Sequence, residues 1–250
     1  MPRLCASLTF LFTELPLAER FGAARSAGFE AVEILFPYDQ PAPAILDGLA
    51  ANGLELVAIA APPPNYTGGV AGFPAVPGAE ERFRHDFRRA ARYATALGAR
   101  MLQVMTGVAQ GPAARAACVA NLAWAAAQDP ARVLLIEPVN AGDMPGCFLD
   151  SLDLAQALIA EVGAPNLRLQ FDAYHVQRMT GDAVAAWDRV APLVGHVQVA
   201  GVPGRGEPDG GDLDWPGLRA RIGASGYAGW ISAEYHPRGR TAEGLGWMKG

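Results

Sequence analysis

Along this chain, short runs of consecutive apolar and often β-branched residues alternate with longer stretches whose apolar positions recur every three to four residues. The first kind reads as strands buried on both faces, the second as amphipathic helices. Strand-like runs fall at residues 4–9, 31–35, 55–60, 100–105, 133–137, 167–171, 195–200 and 230–234. Helical stretches lie between them at 16–27, 42–52, 80–97, 112–128, 151–162, 181–193 and 215–224, with a last short one at 241–248. Gly28, Gly53 and Gly98 directly follow three of the helices, the usual place for a left-handed cap, and Asp150 and Ser151 suit the start of the fifth.

Strict alternation of strand and helix implies a parallel sheet. Eight such units of about 30 residues each predict an α/β fold, a single (β/α)8 TIM barrel over residues 1–250. An open doubly wound sheet is the alternative, and no G-x-G-x-x-G follows the first strand to support it. One connection is out of scale: residues 62–78, PPPNYTGGVAGFPAVPG, are too long for a mere connector and read as a lid or binding loop.

Composition narrows the class. The chain is 51% hydrophobic and only 18% charged, with a net charge of −5, so no basic footprint for nucleic acid is expected. Three widely spaced cysteines without a C-x-x-C point away from a disulfide framework and towards a reducing, cytoplasmic setting. Neither a signal peptide nor a run of about 20 apolar residues is present, so no membrane partner is expected.

The chemistry collects at strand ends. The stretch 133–146, VLLIEPVNAGDMPG, is an apolar run that ends in Glu137 and is broken at once by a proline. Leu-Arg-Leu-Gln-Phe leads to Asp172, His-Val-Gln-Val carries Gln198, and Trp-Ile-Ser-Ala leads to Glu234. In a parallel barrel the C-terminal strand ends build the active site, so these four converge. An acid at a strand end is also what a solvated edge or a helix cap looks like, but four oxygen-bearing side chains on consecutive strands call for a common cause. Three carboxylates together repel one another, and a divalent ion relieves that. An all-oxygen set of Glu137, Asp172, Gln198 and Glu234 favours Mg2+ or Mn2+. His175, three residues past Asp172, and Arg205, in the glycine-rich loop after Gln198, are candidate substrate contacts, with Glu207 placed to orient Arg205. Glu33 stands alone on the second strand, with a structural or a catalytic role open to it. His196 reads as structural and His85 as a solvated helix residue.

The lines FLF, VEILFPYD, VPGAEERFR, RYATALGA, LLIEPVN, LQFDAYHVQRM, GHVQVA, PGRGEP, GY-x-GW and EY-x-P together resemble bacterial hydroxypyruvate isomerase, a family of the xylose isomerase-like TIM barrels. The similarity runs nearly end to end. It implies that Glu137 and Glu234 are the proton-transferring pair and that Asp172 and Gln198 join them as metal ligands. It also implies that His175 and Arg205 contact substrate, with Asp143 as a further polar contact. Members of that family commonly carry Asn where this chain has Ser7, Asp where it has Gly201, and a Gly-Asp pair where it reads Pro64-Asn65.

The expected activity is isomerisation of a small hydroxy-keto acid, hydroxypyruvate to 2-hydroxy-3-oxopropanoate (tartronate semialdehyde), through an enediolate, with self-association left open. A sugar or sugar-acid isomerase or 3-epimerase uses the same pair of glutamates. An abasic-site endonuclease would need a histidine-rich multi-zinc site and a basic groove, and this chain has four histidines. A non-catalytic binding barrel would be expected to have lost one of the ligands, and all four are present.

Overall fold

A computed structural model describes residues 3–61 and 72–249. Its order is β1 (Arg3–Ser7), α1 (Leu17–Ser26), β2 (Ala31–Glu33), α2 (Ala42–Asn52), β3 (Glu55–Leu56), β4 (Ala58–Ala60), α3 (Glu80–Leu97), β5 (Met101–Gln103), α4 (Gly111–Gln128) and β6 (Val133–Ile136). Then follow α5 (Leu152–Val162), β7 (Leu167–Asp172), α6 (Ala173–Thr180), α7 (Ala183–Val190), β8 (Val194–Val199), α8 (Trp215–Ala224), β9 (Trp230–Ala233) and a 3-10 segment, Thr241–Lys249. All neighbouring strands pair in parallel.

The strands run in the order β3-β2-β1-β9-β8-β7-β6-β5-β4. β3 and β4 are two halves of one strand, separated by Val57 alone. Val57 N–H donates to Val32 O at 2.8 Å on one side, and its carbonyl accepts from Met101 N at 3.0 Å on the other. That single residue joins the two ends of the sheet, so the ring closes as the eightfold barrel expected from the sequence.

Helix faces follow the apolar spacing. On α3 the buried residues are Phe83, Phe87, Ala90, Ala94 and Leu97, one every three or four positions. Phe83 and Phe87 meet Trp124 of α4 edge-on, at centroid distances of 6.1 and 5.7 Å. Burying each such ring is worth roughly 2–3 kcal/mol, so this contact ties α3 to α4 outside the ring. Gly53 (φ +59) and Gly98 (φ +66) cap α2 and α3 in the left-handed conformation, and Ser151 Oγ accepts from Leu154 N at 3.3 Å to open α5.

The main difference from the sequence expectation is α6. The residues after Asp172 form two turns of helix rather than loop, because the Asp172 side chain accepts from Tyr174 N at 2.9 Å and Gly181 closes the far end at φ +76. His175 therefore sits in a helix's first turn. Glu234 lies one residue beyond β9, and the C-terminal segment is 3-10 rather than α.

Period-two alternation sorts each strand into an outward residue under the helices and an inward one inside the ring. Glu33 on β2 bonds to His196 and Gln198 on β8, three strands round the ring, a reach that only the interior allows. Cys5, Ala31, Val57, Ala58 and Trp230, with Met101 against them, form an apolar cluster separate from the main core. Four of these lie two residues before an inward polar side chain, so they floor the barrel and the polar groups stand above them. Residues 62–71 of the proposed lid, with Pro64-Asn65, lie outside the described residues.

Candidate active site

Each reactive group is delivered by the last residues of a strand or the loop after it. Gln170 and Asp172, His196 and Gln198, and Ser232 and Glu234 are pairs two positions apart, so each pair shares the interior face. Glu137 follows β6 directly and Pro138 ends the ladder behind it. Asp172, Gln198 and Glu234 are at most 4% exposed.

Arg205 binds the acids together. Its Nη2 donates to Asp172 Oδ2 at 3.1 Å and to Glu234 Oε1 at 2.7 Å. The guanidinium lies 5.1 Å from the Phe10 ring centre and 4.9 Å from that of Tyr174. Arg205 takes a left-handed φ of +52, rare for a residue with a side chain, and its carbonyl accepts from His236 N at 2.8 Å. The loop thus spends backbone strain to aim one cation inward. Burial opposes the charge on Arg205, but Asp172, Glu234 and Glu137 outweigh it and hold the side chain more firmly protonated than usual.

Beneath the acids lies a row of neutral amides. Gln103 Nε2 and Gln170 Nε2 both donate to Glu137 Oε2, the second at 3.1 Å. Gln170 Nε2 also donates to Gln198 Oε1 at 2.7 Å, and Gln198 Nε2 donates to Glu33 Oε1 at 2.9 Å. Glu33 can only accept, so it fixes which end of Gln198 faces it and, through Gln198, which end of Gln170 reaches Glu137. The second Glu33 oxygen lies 2.8 Å from His196 Nε2. Glu33 thus anchors the amide row from inside the ring, with His196 as its buried partner.

Burial raises the proton affinity of Glu137, Glu234 and Glu33 alike, and their partners decide which stay raised. Glu137 is pushed up to about 8, first by burial and then by Asp172. Glu234 is raised well above the usual carboxylate range by burial, with Arg205 pulling against it. Glu33 is as deeply buried, yet the hydrogen bonds and charge of His196, with help from Gln198, hold it below its ordinary value.

His175 Nε2 lies 3.6 Å from Asp172 Oδ2 and 3.9 Å from Glu137 Oε1. Glu137, Asp172 and His175 each place one ligand-type atom within 4.8 Å of the others, the one such group among the described residues. Gln198 stands differently from the expected ligand set, because its amide oxygen already accepts from Gln170. Asp143 pairs with Arg178 at 2.5 Å at the rim, 4.0 Å from His175 Nδ1. Glu207 does not orient Arg205: its carboxylate accepts from Arg238 N at 3.0 Å and Arg238 Nε at 2.6 Å. Arg205 is positioned instead by its backbone and by Phe10 and Tyr174. His236 meets Phe10 at a 54° tilt with ring centres 4.9 Å apart, and His85 is exposed beside Asp86.

The donor set suits a divalent cation. Three acids face one arginine, and Glu234 Oε2 is buried without a hydrogen-bond partner, an oxygen that a cation could take while favouring the charged form that burial opposes. Cys5, Cys118 and Cys147 are free and buried. Among the described residues no helix is long and apolar enough to cross a membrane.

Residues 21–250 match the family described as xylose isomerase-like TIM barrel. The chain is 44% identical to the 2-oxo-tetronate isomerase of Cupriavidus necator, covering 100% of this chain and 98% of the relative. It is 38% identical to the hydroxypyruvate isomerase of Escherichia coli, over 99% of the chain and 98% of the relative. The crystal structure of AP endonuclease, family 2, from Brucella melitensis superposes with a TM-score of 0.96 at 38% identity, covering 100% of this chain and 98% of that one.

Proposed function

The chain belongs to the xylose isomerase-like TIM barrels, and we propose that within them it isomerises a short hydroxy-keto acid, hydroxypyruvate to 2-hydroxy-3-oxopropanoate. The observation that carries the reading is the pair Glu137 and Glu234. Both are buried carboxylates with raised proton affinity, and they flank Asp172 and Arg205 at the mouth of the barrel.

One glutamate removes the proton from the hydroxyl-bearing carbon and the other returns a proton to the former carbonyl carbon, while the hydroxyl proton passes from its oxygen to the former carbonyl oxygen, so the carbonyl moves by one position with no net oxidation. Glu137 Oε2 is held by two amides, which turns Oε1 towards the reacting atoms. Glu234 offers the unpartnered Oε2. Glu137, pushed up to about 8, can both take and give a proton near neutral pH, as its half of the reaction requires. Arg205 Nε is buried without a partner, a donor left over for the substrate carboxylate. Asp143 and His175 reach the same space from the rim. Glu207, through Arg238, braces the far side of the loop that carries Arg205.

A Mg2+ or Mn2+ ion would be held by Glu137, Asp172 and Glu234, with Gln198 contributing if Gln170 yields its oxygen. Bound there it would supply Lewis-acid stabilisation of the developing oxygen charge.

The name of the 44% identical relative favours a second substrate of the same chemistry, a four-carbon 2-oxo-tetronate. DNA repair is a poor fit to a net charge of −5 and four histidines, one of which is committed to Glu33. Proton NMR in D2O with hydroxypyruvate and with 2-oxo-tetronate, with and without a chelator, tests the reading. Isomerisation with deuterium incorporation is expected, and Glu137→Gln and Glu234→Gln should each lose roughly 10²–10⁴-fold in turnover. No conversion of either acid with Mg2+ or Mn2+ supplied would refute it.

A further inference from the structure

The position of one proton at the barrel mouth is set by a residue that touches neither acid. Asn140, in the loop after β6, is buried, and its side-chain oxygen accepts from the backbone N–H groups of Gly142 and Asp143, each at 3.1 Å. Only the oxygen end of an amide can receive two N–H donors, so the NH2 end faces the other way. There it meets His175: Asn140 Nδ2 is 2.7 Å from His175 Nδ1, and the backbone N–H of Asn140 donates to the same nitrogen at 3.4 Å. Nδ1 faces two donors and must be the bare, accepting nitrogen. A neutral imidazole then carries its hydrogen on Nε2. Asp143 does not compete for the ring, because its Oδ2 is 4.0 Å from Nδ1 and its other oxygen is held by Arg178.

We propose that Asn140 is a positioning residue that locks His175 as the Nε2–H tautomer, so that the ring serves as a hydrogen-bond donor to a substrate oxygen and not as a metal ligand. The catalytic half of this rests on the isomerase reading above. Nε2 points into the space between Glu137 Oε1 and Asp172 Oδ2, at 3.9 and 3.6 Å, too far for strong bonds to either and open to a third oxygen between them. As a carbon-bound proton leaves, negative charge grows on the neighbouring oxygen, and a fixed donor there binds the charged oxygen more strongly than the ground-state one. No proton leaves the ring. A metal needs a lone pair, and the nitrogen aimed at the acids has none to give. His175 therefore drops out of the three-residue group that proximity alone assembles, and the cation is left to the carboxylates.

The test is 15N NMR of the labelled full-length protein at mildly alkaline pH, where a doubly protonated ring is a minor species. His175→Gln assigns the signal among the four histidines. A proton-bearing Nε2 and a proton-free Nδ1 are expected, without and with Mg2+. Asn140→Asp keeps the oxygen that receives Gly142 and Asp143 and places an acceptor against Nδ1, so the turn survives while the hydrogen moves to Nδ1. With that switch kcat should fall roughly 100-fold or more, with KM nearly unchanged. A protonated Nδ1 in the wild type overturns the proposal. So does an Asn140→Asp variant that keeps the Nε2–H ring, or one that switches tautomer and keeps wild-type kcat. The wild-type spectrum decides the tautomer even if the variant folds poorly. Expected spectra in a wild type that turns over neither acid would uphold the ring assignment and refute the reaction.

Discussion

Arg205→Met removes the one cation that touches both Asp172 and Glu234 while keeping an unbranched stem against Phe10 and Tyr174. The arginine sits 3.1 and 2.7 Å from two carboxylates that are 1% and 5% exposed. At an effective dielectric near 20, each pair is worth roughly 5–6 kcal/mol before the cost of burying the arginine itself. Stripping one partner from a buried pair costs about 3–5 kcal/mol net. For a chain of 250 residues, the unfolding entropy near the midpoint is about 0.5 kcal/mol per degree, so Tm should fall by about 6–10 °C. The sign of the pH dependence follows from Glu234, whose proton affinity in the fold exceeds its unfolded value and which Arg205 pulls down. Without Arg205 that affinity rises further, and the folded state holds a proton that the unfolded chain has released. Both proteins lose stability as pH rises above the unfolded carboxylate value, and the variant goes on losing it after the wild-type carboxyl has ionised. The Tm deficit should therefore be larger at pH 8 than at pH 5, and added Mg2+ should recover part of it. Calorimetry on both proteins at the two pH values measures this. A deficit below 1 °C, or one that grows towards acid, would refute the bridging role.

Two other substitutions probe the supports of the site. Glu33→Gln breaks the buried contact with His196 and lets Gln198 turn over, so Tm near neutral pH should drop by about 6 °C, for a loss of about 3 kcal/mol. Because the fold holds Glu33 below its ordinary value, its contribution is present above the unfolded value and lost as pH falls through the folded one. The gap between variant and wild type should narrow below pH 4, and a gap constant across thermal melts from pH 3 to 7 would refute the pairing. Gly201→Ala places a Cβ 2.3 Å from Glu207 O and 2.7 Å from Gly210 O, which must push away the loop that carries Arg205. A loss of about 1–3 kcal/mol and a fall in kcat/KM of about tenfold or more are expected; unchanged kinetics would show that the loop does not set Arg205.

The ring is legible in the sequence because strand and helix periods alternate cleanly. Glu137, Asp172 and Glu234 are legible because a charge that closes a fully apolar run must lie where a buried strand reaches the rim. The amide row is harder to see, although its signal is present. Gln170 stands two places before Asp172, and Gln198 two places after His196, so each shares its neighbour's face. A glutamine inside a strand reads as ordinary polarity until its partners are known. Helix α6 is hidden because Asp172 does two jobs: one oxygen faces Arg205 and the other caps the helix, and its place at a strand end points only to the first. The partner of Glu207 cannot be read at all, since Arg238 lies 31 residues away in the chain and nothing in local spacing links them. The need for glycine at Gly201 emerges only when the loop is seen folded back onto that position.

The division of the ring at β6 has a consequence for how such enzymes diversify. Glu137, Asp172, Arg205 and Glu234 all arrive from β6 to β9 and the turns after them, whereas the arc from β1 to β5 sends Gln103 and Glu33 to steady them from below. The three acids and the arginine thus occupy one semicircle of the ring. Phe10, in the loop after β1, packs 5.1 Å from the Arg205 guanidinium, so that loop is tied to the acids while the loop after β2 is freer to change. A barrel of this plan can acquire a new carbon skeleton to work on by exchanging its front door while the engine room stays as it was.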